Sequence, residues 1–196
     1  MAEQKPMLVP LESYLKAGIH IGTKFKTNYM EQFIYKARPD GLFVLNLQKI
    51  DERLALCAKM LAVYAPEEIL LVSRRENGWK PLRAFHKATG AKVFPGRYPP
   101  GILTNLELKT FIQPRVMLVT DAWPDRNAVQ DAVKAGIPIV GLCDTNNQAN
   151  NLDLVVPCNN KGKKALGIFF WILAREYMKL RSMGDMTLPL EDFTDE

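Results

Sequence analysis

The sequence predicts an α/β protein built as three layers, with a parallel β-sheet covered by helices on both faces. Two observations predict it. Short apolar runs typical of strands buried on both faces recur along the chain, as in residues 137–143. Between them lie longer segments whose apolar residues repeat at intervals of three and four, the spacing of one helix face. Strands alternating with helices of this length imply right-handed crossovers and therefore a parallel sheet.

Residues 1–40 are predicted to form an extension before the core, with a short helix and an irregular basic loop. Leu11 to Ala17 has the character of a brief helix, and Gly18 is the residue type that ends helices in a left-handed turn. The segment 18–40 has no sustained period. Its basic and aromatic residues are interleaved, namely Lys24, Phe25, Lys26, Tyr29, Phe33, Tyr35, Lys36 and Arg38.

The core domain is predicted to span residues 41–183. Its strands are expected at 42–47, 69–73, 92–95, 116–121, 138–144 and 154–158, and its helices at 49–64, 79–89, 127–135 and 163–183. The first helix shows helical spacing at Ile50, Leu54, Cys57, Leu61 and Tyr64. Pro99 and Pro100 exclude regular helix from the loop at 96–105. Residues 184–196 are predicted to form an acidic tail that is poorly ordered by itself.

The charge balance points to a polyanionic partner. The chain carries a formal net charge of +5, yet the tail holds acids without any Lys or Arg, at Asp185, Glu191, Asp192, Asp195 and Glu196. Without these acids the remainder would carry +10. A body this basic favours nucleic acid as the partner, with an anionic membrane surface second.

The composition argues against disordered, transmembrane and disulfide-rich classes. With 47% apolar and 24% charged among 196 residues, the chain resembles an ordinary folded domain. Its most apolar stretch, residues 165–174, is about half the length that crosses a bilayer. The N-terminus lacks the apolar core of a signal peptide, so we expect a cytoplasmic protein. Cys57, Cys143 and Cys158 stand in apolar contexts without a C-x-x-C pair, and we expect buried free thiols.

Two nucleotide-binding motifs can be tested directly, and both fail. A dinucleotide fold needs G-x-G-x-x-G after its first strand, where Asn46 to Lys49 contains no glycine. A P-loop needs a glycine five positions before its Gly-Lys and a Ser or Thr after it. Around Gly162-Lys163 those positions hold Pro157 and Lys164. We therefore predict no cofactor.

Asp121 and Asp144 fall at the ends of predicted strands, where ligands of parallel sheets bind. A metal-binding or phosphoryl-accepting site would use them, but it would also need carboxylates after the first strand, and none stands there. The alternative is structural. Asp121 would cap the next helix or turn, and Asp144, Thr145 and Asn146 would fix a tight loop through side-chain to backbone hydrogen bonds. No metal site is predicted.

Gly18, His20 and Gly22 form a motif whose glycines let the backbone approach another group closely. The His20 imidazole would make a structural hydrogen bond there, or contact a ligand. His86 lies within a predicted helix and is expected at the surface or an interface. No local arrangement places a Ser or Cys nucleophile beside either imidazole. No catalytic residue is predicted.

Three basic clusters form the candidate nucleic-acid interface. A basic helix face is often merely solvated, but three clusters together favour phosphate contacts, which position a protein on RNA without reading its sequence. Lys and Asn before the last helix also suit a phosphate at the helix N-terminus. The candidate residues are Lys24, Lys26, Lys36, Arg38, Arg74, Arg75, Lys80, Arg83, Arg97, Lys161, Lys163 and Lys164.

Several spaced motifs resemble the ribosomal protein S-two family of the small subunit. They are Gly18-Ile19-His20-Ile21-Gly22, the strand end Leu45-Asn46-Leu47, and the run from Ile137 to Asn146 followed by Pro157 and Asn159. The resemblance runs from about residue 11 to residue 177. The compact length is similar to archaeal members, without the inserted helical hairpin of bacterial relatives or the long C-terminal extension of the eukaryotic laminin-receptor-like protein.

The resemblance implies a flavodoxin-like or Rossmann-like core and a non-enzymatic function. It implies a constituent of the small ribosomal subunit between head and body, near the mRNA exit, that contacts rRNA and neighbouring ribosomal proteins. No membrane and no small-molecule substrate are expected. The acidic tail is a candidate contact with a basic neighbour, unless it is disordered; its apolar residues are Met183, Met186, Leu188, Leu190 and Phe193. The rival interpretation is a nucleotide- or metal-binding enzyme that uses Asp121, Asp144 and Thr145.

Overall fold

The computed structural model describes residues 7–194. Residues 1–6 of the predicted extension, and Asp195 and Glu196 of the predicted tail, lie outside this range. The helices are α1 Leu11–Ala17, α2 Leu47–Ala62, α3 Trp79–Thr89, α4 Arg126–Ala135 and α5 Lys163–Leu180. The strands are β1 Ile34–Ala37, β2 Phe43–Leu45, β3 Ile69–Ser73, β4 Lys92–Pro95, β5 Val116–Val119, β6 Ile139–Cys143 and β7 Leu154–Pro157.

Local capping chemistry explains where the helices begin and end. Gly18 and Gly90 close α1 and α3 in the left-handed region, with φ of 67° and 81°, as predicted from their residue type. Helix α2 begins two residues before its predicted start. Asn46 explains this difference, because its side-chain oxygen accepts the backbone N–H groups of Gln48 at 2.9 Å and Lys49 at 3.4 Å.

The main sheet has five parallel strands in the order β4-β3-β5-β6-β7. Counted from β3 along the chain, this order is 2-1-3-4-5, the order of flavodoxin-like folds. The predicted parallel α/β architecture is therefore confirmed. Strands β3 and β5 are neighbours, but the chain leaves them towards opposite sides of the sheet. Their carboxyl ends thus form a topological switch point, the place where open α/β sheets most often bind ligands.

The two faces of the sheet are covered differently. In β3, Ile69 and Leu71 join the large core beneath α2, α3 and α5, whereas Leu70 and Val72 join a smaller core beneath α4. This alternation follows from the period of two in a strand. The segment 96–115 replaces a helix on the smaller side, and it buries Tyr98, Ile102 and Leu103.

The predicted strand at 42–47 does not join the main sheet, which corrects the expected strand set. The part of it that forms a strand, β2, pairs antiparallel with β1. Strand β1 lies in the segment that we expected to be irregular. Val44 also forms an isolated antiparallel bridge with Ile21. A short apolar run fits either an interior strand or a two-stranded ribbon, so the pattern alone cannot select the partner.

The predicted disorder of the tail is also corrected within residues 184–194. Phe193 is 0% exposed and packs into the large core. A Cβ on Gly167 would lie 2.3 Å from Cγ2 of Thr194 and 2.8 Å from the carbonyl oxygen of Phe193, so this glycine provides the groove in α5 that receives the tail. The indole N–H of Trp171 donates to the carbonyl of Leu188 at 3.2 Å. Burying one aromatic ring overcomes the expected tendency to fray.

The three cysteines are buried free thiols, as predicted. Burial raises the pKa of Cys57 and of Cys143 to about 12. Between residues 7 and 194 there is no helix with the length and hydropathy needed to span a lipid bilayer.

Candidate nucleic-acid interface

The carboxyl edge of the main sheet gathers the strand-end residues that the sequence singled out. Arg74 and Arg75 follow β3, Asp121 follows β5 closely, and Asp144 follows β6. The loop before α5, which carries Lys161, follows β7. Because the strands are parallel, all these loops lie along one edge.

Asp121 is the most tightly held carboxylate of this edge. It is 1% exposed, and its Oδ2 accepts Nε and Nη2 of Arg75 at 2.7 and 2.5 Å. Its Oδ1 accepts the backbone N–H of Trp123 at 3.1 Å and the amide of Asn147 at 2.9 Å. Such a two-pronged pair offsets much of the cost of burying a carboxylate. Asp121 therefore fixes the turn after β5, as its structural interpretation predicted.

Asp144 has a matching arrangement on the next strand. Its Oδ2 accepts the amino group of Lys161 at 2.6 Å, and its Oδ1 accepts the backbone N–H of Thr145 at 2.6 Å. Lys161 also donates to Asn146 Oδ1 at 2.9 Å. Through these contacts the amino group of Lys161 joins the loop after β6. Each carboxylate has its own cationic partner.

Asn147 connects these two arrangements, and the sequence analysis missed it. Its side-chain oxygen accepts the backbone N–H of Asp144 at 2.8 Å and the amide of Asn160 at 3.0 Å, while its own amide donates to Asp121. The run of amides at 146–151 was the available signal. The network occupies the carboxylate oxygens, and residues 7–194 contain no cluster of His, Cys, Asp and Glu suited to a metal. These side chains therefore hold the loops after β5, β6 and β7 to one another.

The Gly18–Gly22 motif docks the N-terminal segment onto the same edge. Gly22 donates to the carbonyl of Phe43 at 2.9 Å, and the N–H of Thr23 donates to Thr145 Oγ1 at 2.9 Å. A Cβ on Gly22 would meet both partners, at 2.9 Å from Phe43 O and 2.4 Å from Thr145 Cγ2. The predicted close approach is therefore a contact within the chain itself.

His20 takes part in this docking mainly through its backbone, whose carbonyl accepts the N–H of Leu45 at 2.8 Å. Its Nδ1 is buried without a hydrogen-bond partner in the described part of the chain. Burial is the main cause that lowers the pKa of His20, and the nearby Arg38 guanidinium adds to it; a hydrogen bond to the Tyr14 backbone acts in the opposite direction.

Several of the predicted phosphate-binding cations already have partners. Besides Arg75 and Lys161, Lys26 pairs with Glu31, and Arg38 pairs with Asp40 at 3.2 Å. Lys80 donates to the carbonyl of Thr194. These contacts reduce the cationic surface below what charge counting suggests.

The remaining candidates make no ion pair with a carboxylate in residues 7–194, and all are exposed. They are Lys24, Lys36, Arg74, Arg83, Arg97, Lys163 and Lys164. Arg74, Arg97 and the two lysines of α5 stand after the carboxyl ends of β3, β4 and β7. Lys36 lies instead on β1 and Arg83 within α3, so the structure does not gather all candidates at one place.

A cleft of about 180 Å³ separates Arg74 from Arg97 and contains a buried acid, Asp125. The Oδ2 of Asp125 accepts the backbone N–H of Arg74 at 3.0 Å, and its Oδ1 has no partner in the described residues. Burial raises the pKa of Asp125 to about 6, although the Arg74 N–H works against this shift. The carboxyl group was not identified from the sequence.

Comparison with known proteins finds one family of similar sequences. A family model described as Ribosomal protein S2 matches residues 108–179. The chain is 48% identical over 190 residues to "Small ribosomal subunit protein uS2" of Nanoarchaeum equitans (strain Kin4-M), covering 95% of this chain and 94% of that protein. It is 47% identical over 191 residues to the protein of the same description from Thermofilum pendens (strain DSM 2475 / Hrk 5), covering 95% and 89%.

Proposed function

Because this chain belongs to the ribosomal protein S2 family, we propose that it binds small-subunit rRNA through phosphate contacts at the carboxyl edge of its sheet. As a member of that family it is a structural constituent of the small ribosomal subunit and not an enzyme. We further propose that it contributes to subunit assembly at the junction of head and body, near the mRNA exit. The motifs of the Gly18–Gly22 segment and of β6 support this position by resemblance.

One observation carries the RNA-binding proposal. Exposed cations without a carboxylate partner in residues 7–194 follow three strands of the same edge, at Arg74, Arg97, Lys163 and Lys164. Cations that share one edge can contact successive phosphates of a backbone. Two buried acids of this edge, Asp121 and Asp144, are paired with Arg75 and Lys161, which offset their charge.

The N-terminus of α5 adds a second kind of phosphate donor. Asn159 Oδ1 accepts the backbone N–H groups of Lys161 and Gly162, each at 3.1 Å, and so shapes the loop that leads into the helix. Lys163 and Lys164 occupy the first turn, beside free backbone N–H groups and the positive end of the helix dipole. This combination suits a phosphate oxygen.

The docked tail is a proposed contact with a neighbouring protein, through its acidic residues and not through Phe193. Its apolar residue Phe193 is used within the chain, so it is not available to dock on a neighbour. The carboxylates of Asp185, Glu191 and Asp192 remain exposed on the docked tail. We propose that this acidic strip faces a basic ribosomal protein. A crosslinker attached at Glu191 in assembled subunits should reach a neighbouring protein; labelling by soluble reagent alone would contradict the contact.

The RNA-binding proposal is tested by the salt dependence of rRNA binding. Replacing Arg74, Arg97 and Lys163 together by alanine should lower the affinity and reduce the slope of log K against log salt by roughly 0.7–0.9 per lost phosphate contact. A matched control replaces Lys59, Lys134 and Lys179, which lie in the last turns of α2, α4 and α5. It removes the same charge away from the carboxyl edge. Equal slopes for the two triple variants would remove this edge from the interface.

A further inference from the structure

Trp123 is a large aromatic residue that stands in solvent at the switch point between β3 and β5. It is 83% exposed, whereas Trp79 and Trp171 are partly buried. Its backbone N–H donates to Asp121, the carboxylate that Arg75 holds, so the start of its side chain is fixed. No aromatic ring and no cation of residues 7–194 packs on its indole. Most of the indole surface is therefore open to solvent and to a stacking ligand.

Two clefts meet at this indole. One, of about 490 Å³, is lined by Arg74, Trp123, Pro124, Arg126 and Asn127. The other, of about 510 Å³, lies between Trp123 and the loop after β6. Trp123 and Arg126 line both clefts, so these two side chains form the wall between them. Volumes of this size accommodate a small organic group rather than a folded partner.

The second cleft offers many amide groups to a ligand. Gln130 of α4 and Asn146, Gln148, Asn150 and Asn151 of the loop after β6 line it, and all are exposed. Amide side chains carry both donors and acceptors, which match the edges of nucleobases. The carboxylate that lines this cleft, Asp121, already has partners on both oxygens.

The positive charge of two arginines in this region favours an anionic ligand. Arg126 is exposed, stands beside Trp123 in both clefts and makes no ion pair within residues 7–194. Arg74 contributes a second guanidinium, which reaches only the carbonyl of Pro124 at 3.5 Å. A flat group that stacks on an indole, uses amides at its edge and carries a nearby negative charge is a nucleotide.

We infer that an unpaired nucleotide of the bound RNA stacks on Trp123, with its base edge against the amides of the loop after β6 and its phosphate against Arg126. This inference rests on the proposed function, because it names a subsite of the same RNA-binding edge. It adds a contact that depends on an unstacked base and not on phosphate charge alone. The fold provides the site where a flavodoxin-like sheet most often binds its ligand.

The test uses the full-length protein and short single-stranded RNA oligonucleotides of uniform base, with a blunt RNA hairpin as the paired probe. Single-stranded RNA should quench tryptophan fluorescence in the wild type and not in Trp123→Phe, since the other two indoles are partly buried. Trp123→Ala should weaken binding of single-stranded RNA by roughly 5- to 100-fold, the loss expected for one base stacked on an aromatic ring. Trp123→Phe should retain most of the affinity, and binding of the hairpin should not change.

A matched control replaces Leu106, which is 75% exposed in the segment 96–115, by alanine. This variant should bind single-stranded RNA like the wild type. Equal affinity of Trp123→Ala and wild type for single-stranded RNA would overturn the inference. So would a Trp123→Ala variant that binds RNA normally but no longer enters subunits, since Trp123 would then contact a protein. If the wild type binds no rRNA at all, the proposed function itself fails; salt-dependent rRNA binding without quenching removes only the Trp123 subsite.

Discussion

A Cβ atom on Gly22 would lie 2.4 Å from Cγ2 of Thr145, although Gly22 precedes the core domain and Thr145 lies late within it. The Thr145 side chain cannot turn away freely, because its hydroxyl accepts the N–H of Thr23 at 2.9 Å and lies 2.9 Å from the Thr23 hydroxyl. This contact joins the N-terminal segment to the loop after β6, and it explains why a glycine is needed at position 22.

Replacing Gly22 by alanine should destabilise the protein by roughly 1–3 kcal/mol, the usual cost of forcing extra volume into a packed site. Urea unfolding measures it. Thr145→Ser removes the clashing methyl group and keeps the hydroxyl, so the double variant should recover part of the loss. Recovery should be incomplete, because the new Cβ still meets the carbonyl of Phe43 at 2.9 Å. Strictly additive losses would show that the two positions do not touch.

Arg75 should matter for stability more than for RNA contacts. Its partner Asp121 is 1% exposed, and removing the arginine leaves a buried carboxylate without its counter-ion. We expect Arg75→Ala to lower the free energy of unfolding by about 3–5 kcal/mol. The control is Arg38→Ala, which breaks a pair whose side chains are 46% and 45% exposed and should cost at most about 1 kcal/mol. Similar losses for the two variants would show that burial does not strengthen the Arg75 pair.

Asp125 should make stability depend on pH. Burial raises its pKa to about 6 in the folded state, from an ordinary value of 3.8. The protonated form is therefore favoured by folding, so this contribution is present below pH 3.8 and is lost as the pH rises through 6. Asp125→Asn keeps the acceptor for Arg74 N–H but cannot ionise. Its stability relative to the wild type should increase between pH 4 and pH 7 by an amount on the order of 2–3 kcal/mol.

Urea unfolding of Asp125→Asn and wild type at several pH values gives this difference directly. Its increase should be centred between the two pKa values. A constant difference from pH 4 to pH 7 would show that Asp125 stays ionised in the folded protein.

Phe193 should hold the tail in place. The ring is fully buried, and truncation to alanine removes its apolar contacts with the core; we expect a loss of at most about 3–5 kcal/mol, limited by the free energy of detaching the tail. Leu190→Ala is the control, because Leu190 is 36% exposed and should cost far less. Amide hydrogen exchange should show faster exchange of the tail in Phe193→Ala. Equal protection in the two variants would contradict docking through Phe193.

The sequence predicted the parallel sheet and most element boundaries because these depend on local signals. Gly18 and Gly90 end their helices where a left-handed residue is needed, and the buried strands are continuous apolar runs. The strand before α2 was assigned to the wrong sheet for a physical reason. Its partner, β1, is selected by the hydrogen bonds and packing of the folded chain. The spacing of apolar residues in the sequence does not specify that partner.

The candidate site was harder to predict because some of its cations form ion pairs with carboxylates that lie far away in the sequence. The charge pattern identified Arg75 and Lys161 as phosphate ligands, but folding places them on Asp121 and Asp144. The tail shows the same limit. It was predicted to be poorly ordered by itself, whereas the buried Phe193 ring and the space above Gly167 decide its position. In each case the sequence around one residue contains no signal that identifies its partner.

The hydrogen bond between Thr23 and Thr145 spans 122 positions of the chain, which has a consequence for the order of folding. The Thr145 partner of the N-terminal segment is not in place until β5 and β6 have paired and the loop after β6 has formed its network. Closing so long a loop costs conformational entropy, which is offset only when the contacts at the carboxyl edge of the sheet have formed. We therefore expect this segment to dock after the folding transition state, so that substitutions at Gly22 mainly accelerate unfolding and leave the folding rate nearly unchanged.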